Sequence, residues 1–294
     1  MRFVTYAVPG GPALPGIVVG DRVQCLQPAG FGGILDVIAG GAAALAAIRS
    51  FLAGAPAAAA IPLGSVTLFA PIPKPPKIIC VGLNYRDHAA EAKMEIPQVP
   101  TIFSKFGTAV TGAGAPIVLP KNSGKPDYEA EFGVVIGTGG RHIPAAAWRE
   151  HVFGYTCIND VSARDFQLMT TQWLMGKTFD TFCPMGPWIT TADEIEDPHE
   201  LDIQCEINGE VLQSSNTRHL IFKIPELIEF LSGVFTLEPG DVISTGTPAG
   251  VGFARRPPRW LRPGDEVVVR VQGVGELRNP VVAEAANDVA ADKQ

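Results

Sequence analysis

The first seventy residues alternate short apolar runs with turns that contain glycine and proline. Arg2–Ala7, Gly16–Val19 and Val23–Leu26 each have the length and composition of a strand, and turn-forming residues separate them. An alanine-rich segment with high helix propensity follows from Gly41 to Leu52. This pattern predicts a small N-terminal α+β domain over residues 1–70.

A proline-rich segment then interrupts the pattern. Residues 71–76 read PIPKPP, and proline restricts the backbone and removes amide donors. Such a stretch is typical of a stiff linker. We therefore place a domain boundary at residues 71–76, which assigns residues 77–294 to a second domain.

The second domain consists mainly of short apolar runs. Asn208-Gly209 predicts a tight type I′ hairpin. Helical patterns occur at Asp87–Met94, with Asp87 as the N-cap and Pro97 ending the helix, and at Ile224–Leu231. Many strands and few helices predict a mostly β domain with some α, of sandwich or barrel-like form. The predicted strands are Ile78–Val81, Ile117–Leu119, Glu129–Ile136, Gly154–Ile158, Trp188–Thr190, Ile203–Ile207, Val242–Thr245 and Val267–Val271.

Composition narrows the class of protein. Of 294 residues, 46% are hydrophobic and 18% charged, which excludes a globally disordered chain. The net charge is −7 and no basic face is visible, so nucleic acid is not an expected partner. The one basic cluster is interleaved with prolines, which favours a solvated loop over an anion site. It comprises Arg255, Arg256, Arg259 and Arg262.

The chain also carries signals about its compartment. It has five cysteines, widely spaced and without a CxxC pair, which predicts free, mostly buried thiols in a reducing compartment. The N-terminus reads as a strand and lacks the apolar run of a signal peptide. The longest candidate membrane stretch, Val37–Ile48, is far shorter than the roughly 20 residues a spanning helix needs. We predict a cytoplasmic protein without a membrane partner.

The segment DYEAEFGVVIG, residues 127–137, is the most informative for chemistry. On a strand, Glu129 and Glu131 point to the same face, with Cα atoms about 6.6 Å apart. Gly133 and Val135 continue that face, which predicts an open cavity floor beneath the carboxylates. An exposed acidic face on an edge strand is the alternative for this motif alone.

A third carboxylate changes the balance between these alternatives. Asp160 follows the apolar run 154–158, at a position where an acid is often only a turn former or a helix cap. If Glu129, Glu131 and Asp160 converge, they repel one another strongly unless a cation is present. Oxygen ligands of this kind suit Mg²⁺ or Mn²⁺.

Other residues could act on a bound molecule. His88 and Glu91 are three apart on one predicted helix, so the carboxylate can orient the imidazole as a general base; an ordinary surface pair is the alternative. Lys177 could stabilise a developing oxyanion, or be a plain surface lysine. The glycine-rich loop Thr245–Gly252 could bind a carboxylate through backbone amides, or merely turn the chain. A GxGxxG or Walker-type loop is absent from the sequence, so nothing supports a nucleotide cofactor.

Taken together, these segments resemble the fumarylacetoacetate hydrolase family over residues 77–280. The N-terminal pattern and the Arg-Pro-Pro stretch are similar to bacterial members and to the family's domain-containing-2 subgroup. The matching segments are CVGLNYRDHAAEA (80–92), DYEAEFGVVIG (127–137), GYTCINDVSARDFQ (154–167), GKTFDTFCPMGPW (176–188), INGEVLQ (207–213) and LEPGDVISTGTPAGVG (237–252).

The resemblance implies a mixed β-sandwich roll, a homodimer, and Mg²⁺, Mn²⁺ or Ca²⁺ held by carboxylates. It also implies a role for each residue that matches a family motif. The namesake enzyme has a further acidic ligand with no counterpart here, so its substrate is not transferred. The implied roles are metal ligands for Glu129, Glu131 and Asp160, a water-activating dyad on a mobile lid for His88 and Glu91, oxyanion support for Lys177, and substrate contacts for Lys105, Gln167 and Thr247.

These expectations define a function with stated rivals. The first hypothesis is hydrolytic carbon–carbon cleavage of an acylpyruvate-like or related β-dioxo acid, with the metal stabilising the enolate that leaves. A rival on the same metal–enolate chemistry is an oxaloacetate decarboxylase or keto–enol tautomerase, or an isomerase or hydratase of unsaturated dioxo acids. The other rival is a non-catalytic binding module, which the full set of candidate residues disfavours.

Overall fold

The computed structural model describes residues 1–54, 56 and 59–285. Within these ranges the chain forms nineteen strands and six helices, so the predicted predominance of strands is confirmed. The strands are β1 Arg2–Ala7, β2 Leu14–Val19, β3 Arg22–Cys25, β4 Ile61–Pro62, β5 Thr67–Phe69, β6 Ile78–Gly82, β7 Thr101–Ser104, β8 Val110–Thr111, β9 Ile117–Leu119, β10 Pro126–Asp127, β11 Ala130–Ile136, β12 Val152–Asn159, β13 Ser162–Ala163, β14 Cys183–Thr191, β15 Asp202–Ile207, β16 Glu210–Asn216, β17 Val242–Ser244, β18 Glu266–Val271 and β19 Gly275–Ala283. The helices are α1 Ile34–Gly54, α2 Arg86–Ala92, α3 Trp148–His151, α4 Arg164–Gln167, α5 Leu174–Lys177 and α6 Ile224–Val234.

One large sheet organises the molecule. Its path runs β4-β3-β2-β1-β14-β12-β11-β17-β6-β7, with β5 also beside β1 and β8 beside β14. The pairs β17–β6 and β14–β8 are parallel and the other neighbours are antiparallel, so the sheet is mixed. A second sheet has the order β16-β15-β18-β19-β9. This arrangement confirms the predicted mixed β-sandwich fold.

The main core lies between these two sheets. Phe132 of β11 and Tyr155 of β12 contribute from the large sheet, and their rings lie 5.0 Å apart. Cys205 of β15 and Val269 of β18 contribute from the smaller one. All four side chains are buried, so replacing Phe132 by alanine would cost about 3–5 kcal/mol of stability. This core fixes β11 and β12, the two strands from which the candidate site is built.

The N-terminal strands are part of the same sheet. Arg2 pairs with Thr190 and Phe3 with Ile189, which joins β1 to β14. Phe3 also packs on Phe153, with ring centroids 5.6 Å apart, in a second core that both sides of the proline-rich segment share. The two predicted domains therefore share one sheet and one core. Their division at residues 71–76 stays a prediction.

The first helix differs from its prediction. It begins at Ile34 rather than Gly41, because Val37 and Ile38 face the second core and extend the apolar surface. Gly41 interrupts it with φ 52° and ψ −136°. With 21 residues and a mean hydropathy of 1.6, this helix is long and apolar enough to cross a membrane. The prediction that the longest apolar segment is too short to span a membrane was therefore wrong. A core helix of a soluble protein can have the same length and composition. Several apolar side chains of α1 are buried in this structure.

Two local predictions are confirmed. Asn208 and Gly209 have φ of 53° and 85°, the left-handed conformations of a type I′ turn, and Ile207 pairs with Glu210 across it. All five cysteines are free, and only Cys25 among them is not fully buried. Burial raises the pKa of the thiols of Cys80 and Cys183, which keeps both protonated at neutral pH.

Candidate metal centre

The three predicted carboxylate ligands lie together where β11 begins and β12 ends. Glu131 is the second residue of β11, Glu129 directly precedes this strand, and Asp160 directly follows β12. Because Ala130 pairs with Asn159 in an antiparallel ladder, the two strand ends are neighbours. The Asp160 amide donates to the Glu129 carbonyl at 2.9 Å. Carboxylate oxygens of these three buried residues, the carboxylate trio, lie within 4.8 Å of one another.

The surroundings of the trio differ from the predicted cavity floor. Glu129 lies outside the regular strand, so simple alternation along β11 does not account for its direction. A Cβ on Gly133 would come within 2.7 Å of Ile158, and Val135 is fully buried in the second core. Glu129 and Glu131 do line a cavity, but the prediction that Gly133 and Val135 continue it as an open face was wrong, because both are packed in the interior.

Two lysine side chains neutralise part of this negative charge. The Lys177 ammonium donates to Glu129 Oε2 at 2.8 Å and to Asp160 Oδ2 at 2.7 Å, and it lies 4.9 Å from the centroid of the Phe103 ring. The Lys105 ammonium lies 2.6 Å from Asp160 Oδ1 and donates to three backbone carbonyl groups. Both lysines are buried, so these contacts are shielded from water.

Arg164 is a site residue that the sequence reasoning missed. One of its terminal nitrogens lies 2.6 Å from Glu129 Oε1 and 2.8 Å from Asp127 Oδ2, and the other donates to Gln167 Oε1 at 2.8 Å. It begins α4, four residues after Asp160. An arginine so close behind a candidate ligand was the available signal, because a buried carboxylate needs a charged partner.

Burial and charge act differently on the two glutamates. Burial by itself would raise the pKa of Glu129, but Lys177 and then Arg164 outweigh it and hold this pKa well below its usual range. Burial, followed by the charges of Asp160 and Glu129, raises the pKa of Glu131 well above its usual range. This occurs although Glu131 Oε2 accepts hydrogen bonds from the Ser244 hydroxyl at 2.5 Å and from a backbone amide at 3.0 Å. Among the described residues, the contacts from cations fall on Glu129 and Asp160, and Glu131 is left without an ion pair.

The donor set fits a hard divalent cation. Glu129, Glu131 and Asp160 offer carboxylate oxygens, the ligands that Mg²⁺ and Mn²⁺ prefer. Asp160 Oδ1 is buried and, among the described residues, accepts no hydrogen bond of normal geometry, although the Lys105 ammonium faces it. An ion at the trio would use this oxygen and relieve the repulsion that raises the pKa of Glu131.

The predicted dyad is present on α2. His88 Nδ1 lies 3.1 Å from Glu91 Oε2, and the other carboxylate oxygen of Glu91 accepts the Gly250 amide at 3.0 Å. When Nδ1 carries the proton that Glu91 accepts, Nε2 carries the lone pair. This arrangement ties the dyad to the glycine-rich loop and leaves one ring nitrogen for proton transfer.

The bounds of α2 correct the predicted helix. Tyr85, not Asp87, occupies the N-cap position, and Asp87 lies within the first turn, where its carboxylate accepts the Ser215 hydroxyl. The helix ends at Ala92 because Lys93 adopts a left-handed conformation with φ 54°, well before Pro97. The apolar residues beyond it are exposed, including Met94 at 54%.

A cavity of about 500 Å³ joins these groups. Glu129, Glu131, Lys177 and the dyad line it, and so do the predicted substrate contacts Gln167 and Thr247. The Thr247 hydroxyl donates to the Ala130 carbonyl at 2.9 Å. Lys105, the third predicted substrate contact, is not among these lining residues. Its ammonium lies against the Asp160 carboxylate instead. Sequence reasoning missed the aromatic residues Phe103 and Trp173 and the arginine Arg164, and it assigned Arg256, which also lines the cavity, to a solvated loop.

A cavity of this kind, lined by acidic side chains, a lysine and a histidine–glutamate dyad, is typical of an enzyme active site. The family model of the fumarylacetoacetate hydrolase C-terminal domain matches residues 77–282. The chain therefore belongs to the fumarylacetoacetate hydrolase family.

Particular relatives match a larger share of the chain than the family model does. A protein named oxaloacetate tautomerase FAHD2A, mitochondrial, from Bos taurus is 44% identical over 96% of this chain and 92% of its own length. The protein of the same name from Homo sapiens is 49% identical over 76% of this chain and 71% of its own length. Maleylpyruvate hydrolase from Sphingobium sp. SYK-6, solved with manganese(II) and pyruvate, has a TM-score of 0.83 and 34% identity, covering 97% of this chain and all of that one.

Proposed function

We propose that this protein interconverts the keto and enol forms of oxaloacetate or a closely related 2-oxo acid, with a divalent cation. The observation that carries the proposal is one cavity that Glu129, Glu131 and the His88–Glu91 dyad line, with the Asp160 carboxylate grouped with those of Glu129 and Glu131. The trio suits a cation that a 2-oxo acid can chelate, and the dyad supplies a base. The two relatives named oxaloacetate tautomerase support the choice of substrate.

The cation would be held by Glu129, Glu131 and Asp160. Mg²⁺ and Mn²⁺ are the proposed ions, with Ca²⁺ as an alternative. When bound, the ion supplies Lewis-acid polarisation of the substrate's oxygen atoms. Lys177 has three N–H groups and uses two of them on Glu129 and Asp160, so one remains for a substrate oxygen that gains negative charge.

The dyad would move the proton. In tautomerisation the C3–H bond breaks, the C2–C3 double bond forms, and the 2-oxo oxygen gains a proton. His88 Nε2 would take the proton from C3 and then give it to the 2-oxo oxygen, while Glu91 holds Nδ1–H and stabilises the imidazolium between the two transfers. A positioned base of this kind contributes about 10²- to 10⁴-fold to the rate.

The remaining predicted contacts have unequal support. Gln167 and Thr247 line the cavity, so we keep both as proposed substrate contacts. The bonds of Lys105 support a different role from direct substrate contact. Its ammonium would orient Asp160 as a ligand, because it lies 2.6 Å from Oδ1 and is anchored by backbone carbonyls.

Hydrolytic cleavage of an acylpyruvate is the second candidate. The maleylpyruvate hydrolase that shares this fold was solved with manganese(II) and with pyruvate, itself a 2-oxo acid. The same cation site and the same base would serve, except that His88 would take its proton from a water that attacks the distal carbonyl. Hydrolysis therefore needs an attacking water in the cavity, whereas tautomerisation does not.

Two further properties stay proposals. The homodimer follows from the family resemblance, and sedimentation of the purified protein would test it. The cytoplasmic location is the other; the names of the Bos taurus and Homo sapiens relatives include the word mitochondrial, so localisation of the tagged protein in cells would test it.

The deciding experiment follows the ultraviolet absorbance of enol-oxaloacetate with Mn²⁺-loaded protein, beside a panel of acylpyruvates. We expect the protein to accelerate the approach to the keto–enol equilibrium and Asp160→Asn to lose the acceleration. Cleavage of acylpyruvates without any effect on oxaloacetate tautomerisation would replace the first candidate by the second. Activity that is unchanged in Asp160→Asn would contradict both.

A further inference from the structure

The arginine-rich stretch after the glycine-rich loop divides into engaged and available side chains. Arg255 donates to the Tyr128 hydroxyl at 3.1 Å and to the Gly250 carbonyl at 3.2 Å. Arg259 donates to Asp265 Oδ1 at 2.9 Å. These two guanidinium groups hold the loop in place. The sequence pattern left two interpretations of this stretch, a solvated loop and an anion site. They now apply to the two remaining arginines, Arg256 and Arg262.

Arg256 is the arginine of this stretch that lines the candidate active-site cavity. It is exposed, and Nη1 donates only to backbone carbonyls, those of Arg255 at 3.0 Å and Phe253 at 3.5 Å. The described residues include no carboxylate within ion-pair distance of it. A guanidinium at a cavity wall without an acidic partner is suited to bind an anion from solution.

The position of Arg256 relates it to the carboxylate trio. The Phe253 ring, which also lines the cavity, lies 5.9 Å from the guanidinium carbon of Arg164. Arg164 in turn contacts Glu129 at 2.6 Å. Arg256 donates to the backbone carbonyl of Phe253, so Phe253 is a common neighbour of Arg256 and Arg164.

The inner cations of this cavity are already paired. Lys177 contacts Glu129 and Asp160, and Arg164 contacts Glu129 and Asp127, each within 2.8 Å. Their charge is therefore largely balanced by protein carboxylates. Arg256, an exposed residue that lines the same cavity, has no such partner among the residues that the structure describes. An anionic group of a ligand that extends from the trio would meet an uncompensated positive charge there.

We infer that Arg256 binds the second carboxylate of a 2-oxo dicarboxylic acid and so selects dicarboxylates over monocarboxylates. This inference rests on the proposed function, because it places the 2-oxo-acid end at the trio. The planar guanidinium can donate two parallel hydrogen bonds to a carboxylate. A monocarboxylate of equal length presents a methyl group instead and gains nothing from the charge.

The test uses a matched pair of ligands. 2-Oxoglutarate and 2-oxopentanoate have the same chain length and differ in whether the far end is a carboxylate or a methyl group. Calorimetric titration of the Mn²⁺-loaded protein gives the affinity for each. We expect Arg256→Ala to weaken 2-oxoglutarate binding by about tenfold or more, as expected for a lost charge-assisted hydrogen bond, and to leave 2-oxopentanoate unchanged.

Two further variants sharpen the result. Arg262→Ala removes an equal charge from the same stretch without touching the cavity lining, and it should keep the preference for 2-oxoglutarate. Arg256→Lys keeps the charge and should keep part of the preference. Equal losses for both ligands in Arg256→Ala, no loss for either, or the same loss in Arg262→Ala would overturn the inference.

The outcome is separable from that of the proposed function. A wild-type protein that leaves oxaloacetate tautomerisation unchanged, yet shows an Arg256-dependent preference for 2-oxoglutarate, would refute the tautomerase and support the carboxylate site. If the wild-type protein tautomerises oxaloacetate and Arg256→Ala retains the full preference for 2-oxoglutarate, the tautomerase is supported and the carboxylate site is refuted. Binding of neither ligand by the wild-type protein would count against the inference.

Discussion

Two nitrogens of Arg164 lie 2.8 Å from Oδ2 of Asp127, and both side chains are buried. Asp127 Oδ1 also accepts the Gly252 amide at 2.8 Å. This ion pair therefore connects the loop beside the cavity mouth to Glu129, which Arg164 contacts with the same terminal nitrogen. The orientation of one candidate metal ligand depends on an acid that is not itself a ligand.

Asp127→Asn tests that dependence. The substitution removes one of the two buried carboxylates that Arg164 contacts, so we expect the free energy of unfolding to fall by about 3–5 kcal/mol. Urea denaturation followed by circular dichroism would measure this change. Asp21→Asn, at an exposed position, is the control and should change stability little. A loss in Asp127→Asn no larger than in the control would show that the pair contributes nothing to stability.

Removing a carboxylate of the trio should abolish metal binding without unfolding the protein. Glu131→Ala and Asp160→Ala each delete one oxygen donor, but they also relieve repulsion between buried like charges in the metal-free state. We expect Mn²⁺ binding and activity to disappear in both, with folding retained. Calorimetric Mn²⁺ titration is the measurement, and Glu210→Gln on the exposed β15–β16 hairpin is the control. Unchanged Mn²⁺ affinity in both alanine variants would refute the metal assignment.

The segment from Asn84 to Pro97 is predicted to act as a lid. Its start is fixed, because Asn84 is buried and its side chain bonds to the Phe222 and Thr245 backbones. We therefore expect motion to begin after Tyr85, in the short helix α2 and the exposed residues behind it. Hydrogen exchange of the Mn²⁺-loaded protein should slow in residues 86–97 when oxalate is added. Strong protection that is equal with and without oxalate would contradict a lid.

His88→Ala separates the candidate reactions. Acylpyruvate cleavage needs an activated water and should fall by about 10²-fold or more. Tautomerisation needs a proton shuttle and should also slow. Oxaloacetate decarboxylation needs no attacking water and should persist in part, because the 2-oxo group accepts the electrons as CO₂ leaves and a bound cation would stabilise the resulting enolate. Rates on the three reactions, with Glu91→Gln as a milder variant, would measure this. Intact cleavage and tautomerisation in His88→Ala would remove the dyad from the mechanism.

Acid should weaken the start of α6 through His199. Burial lowers the pKa of His199 from its ordinary value of 6.5, and its Nε2 accepts the Ile224 amide at 3.3 Å. Between the folded and unfolded pKa values the unfolded state binds more protons, so stability is complete above about pH 6.5 and declines as the pH falls towards the folded value. Thermal unfolding between pH 7.5 and 5 should lose part of its pH dependence in His199→Asn. The same flattening in His219→Asn, at an exposed position, would argue against this role.

The sequence predicted the convergence of the three carboxylates better than it predicted their surroundings. Glu129, Glu131 and Asp160 were identifiable because acidic residues interrupt strongly apolar strands, and the family motifs gave them a common role. The end of α2 could not be predicted, because nothing in the local sequence indicates that Lys93 adopts the left-handed conformation. Arg164 was overlooked because its partners, Asp127 and Glu129, meet it only through the fold.

The joining of the N-terminal strands to the large sheet was also beyond the sequence. Residues 1–70 have their own turns and apolar runs, so they resemble an independent unit. The pairing of Arg2 with Thr190 connects positions almost two hundred residues apart, and no local pattern specifies such a contact. Prediction succeeded where neighbouring residues decide the structure and failed where distant strands do.

That pairing has a consequence for the order in which the protein is made. At a synthesis rate of 5–20 residues per second, β14 leaves the ribosome roughly 10–40 s after β1. During this interval β1 can pair with β2 and β5, but the edge that receives Phe3 against Ile189 stays open. The nascent chain therefore exposes an apolar strand edge until most of the sheet has been synthesised, and chaperone binding to β1 would be most useful in this window.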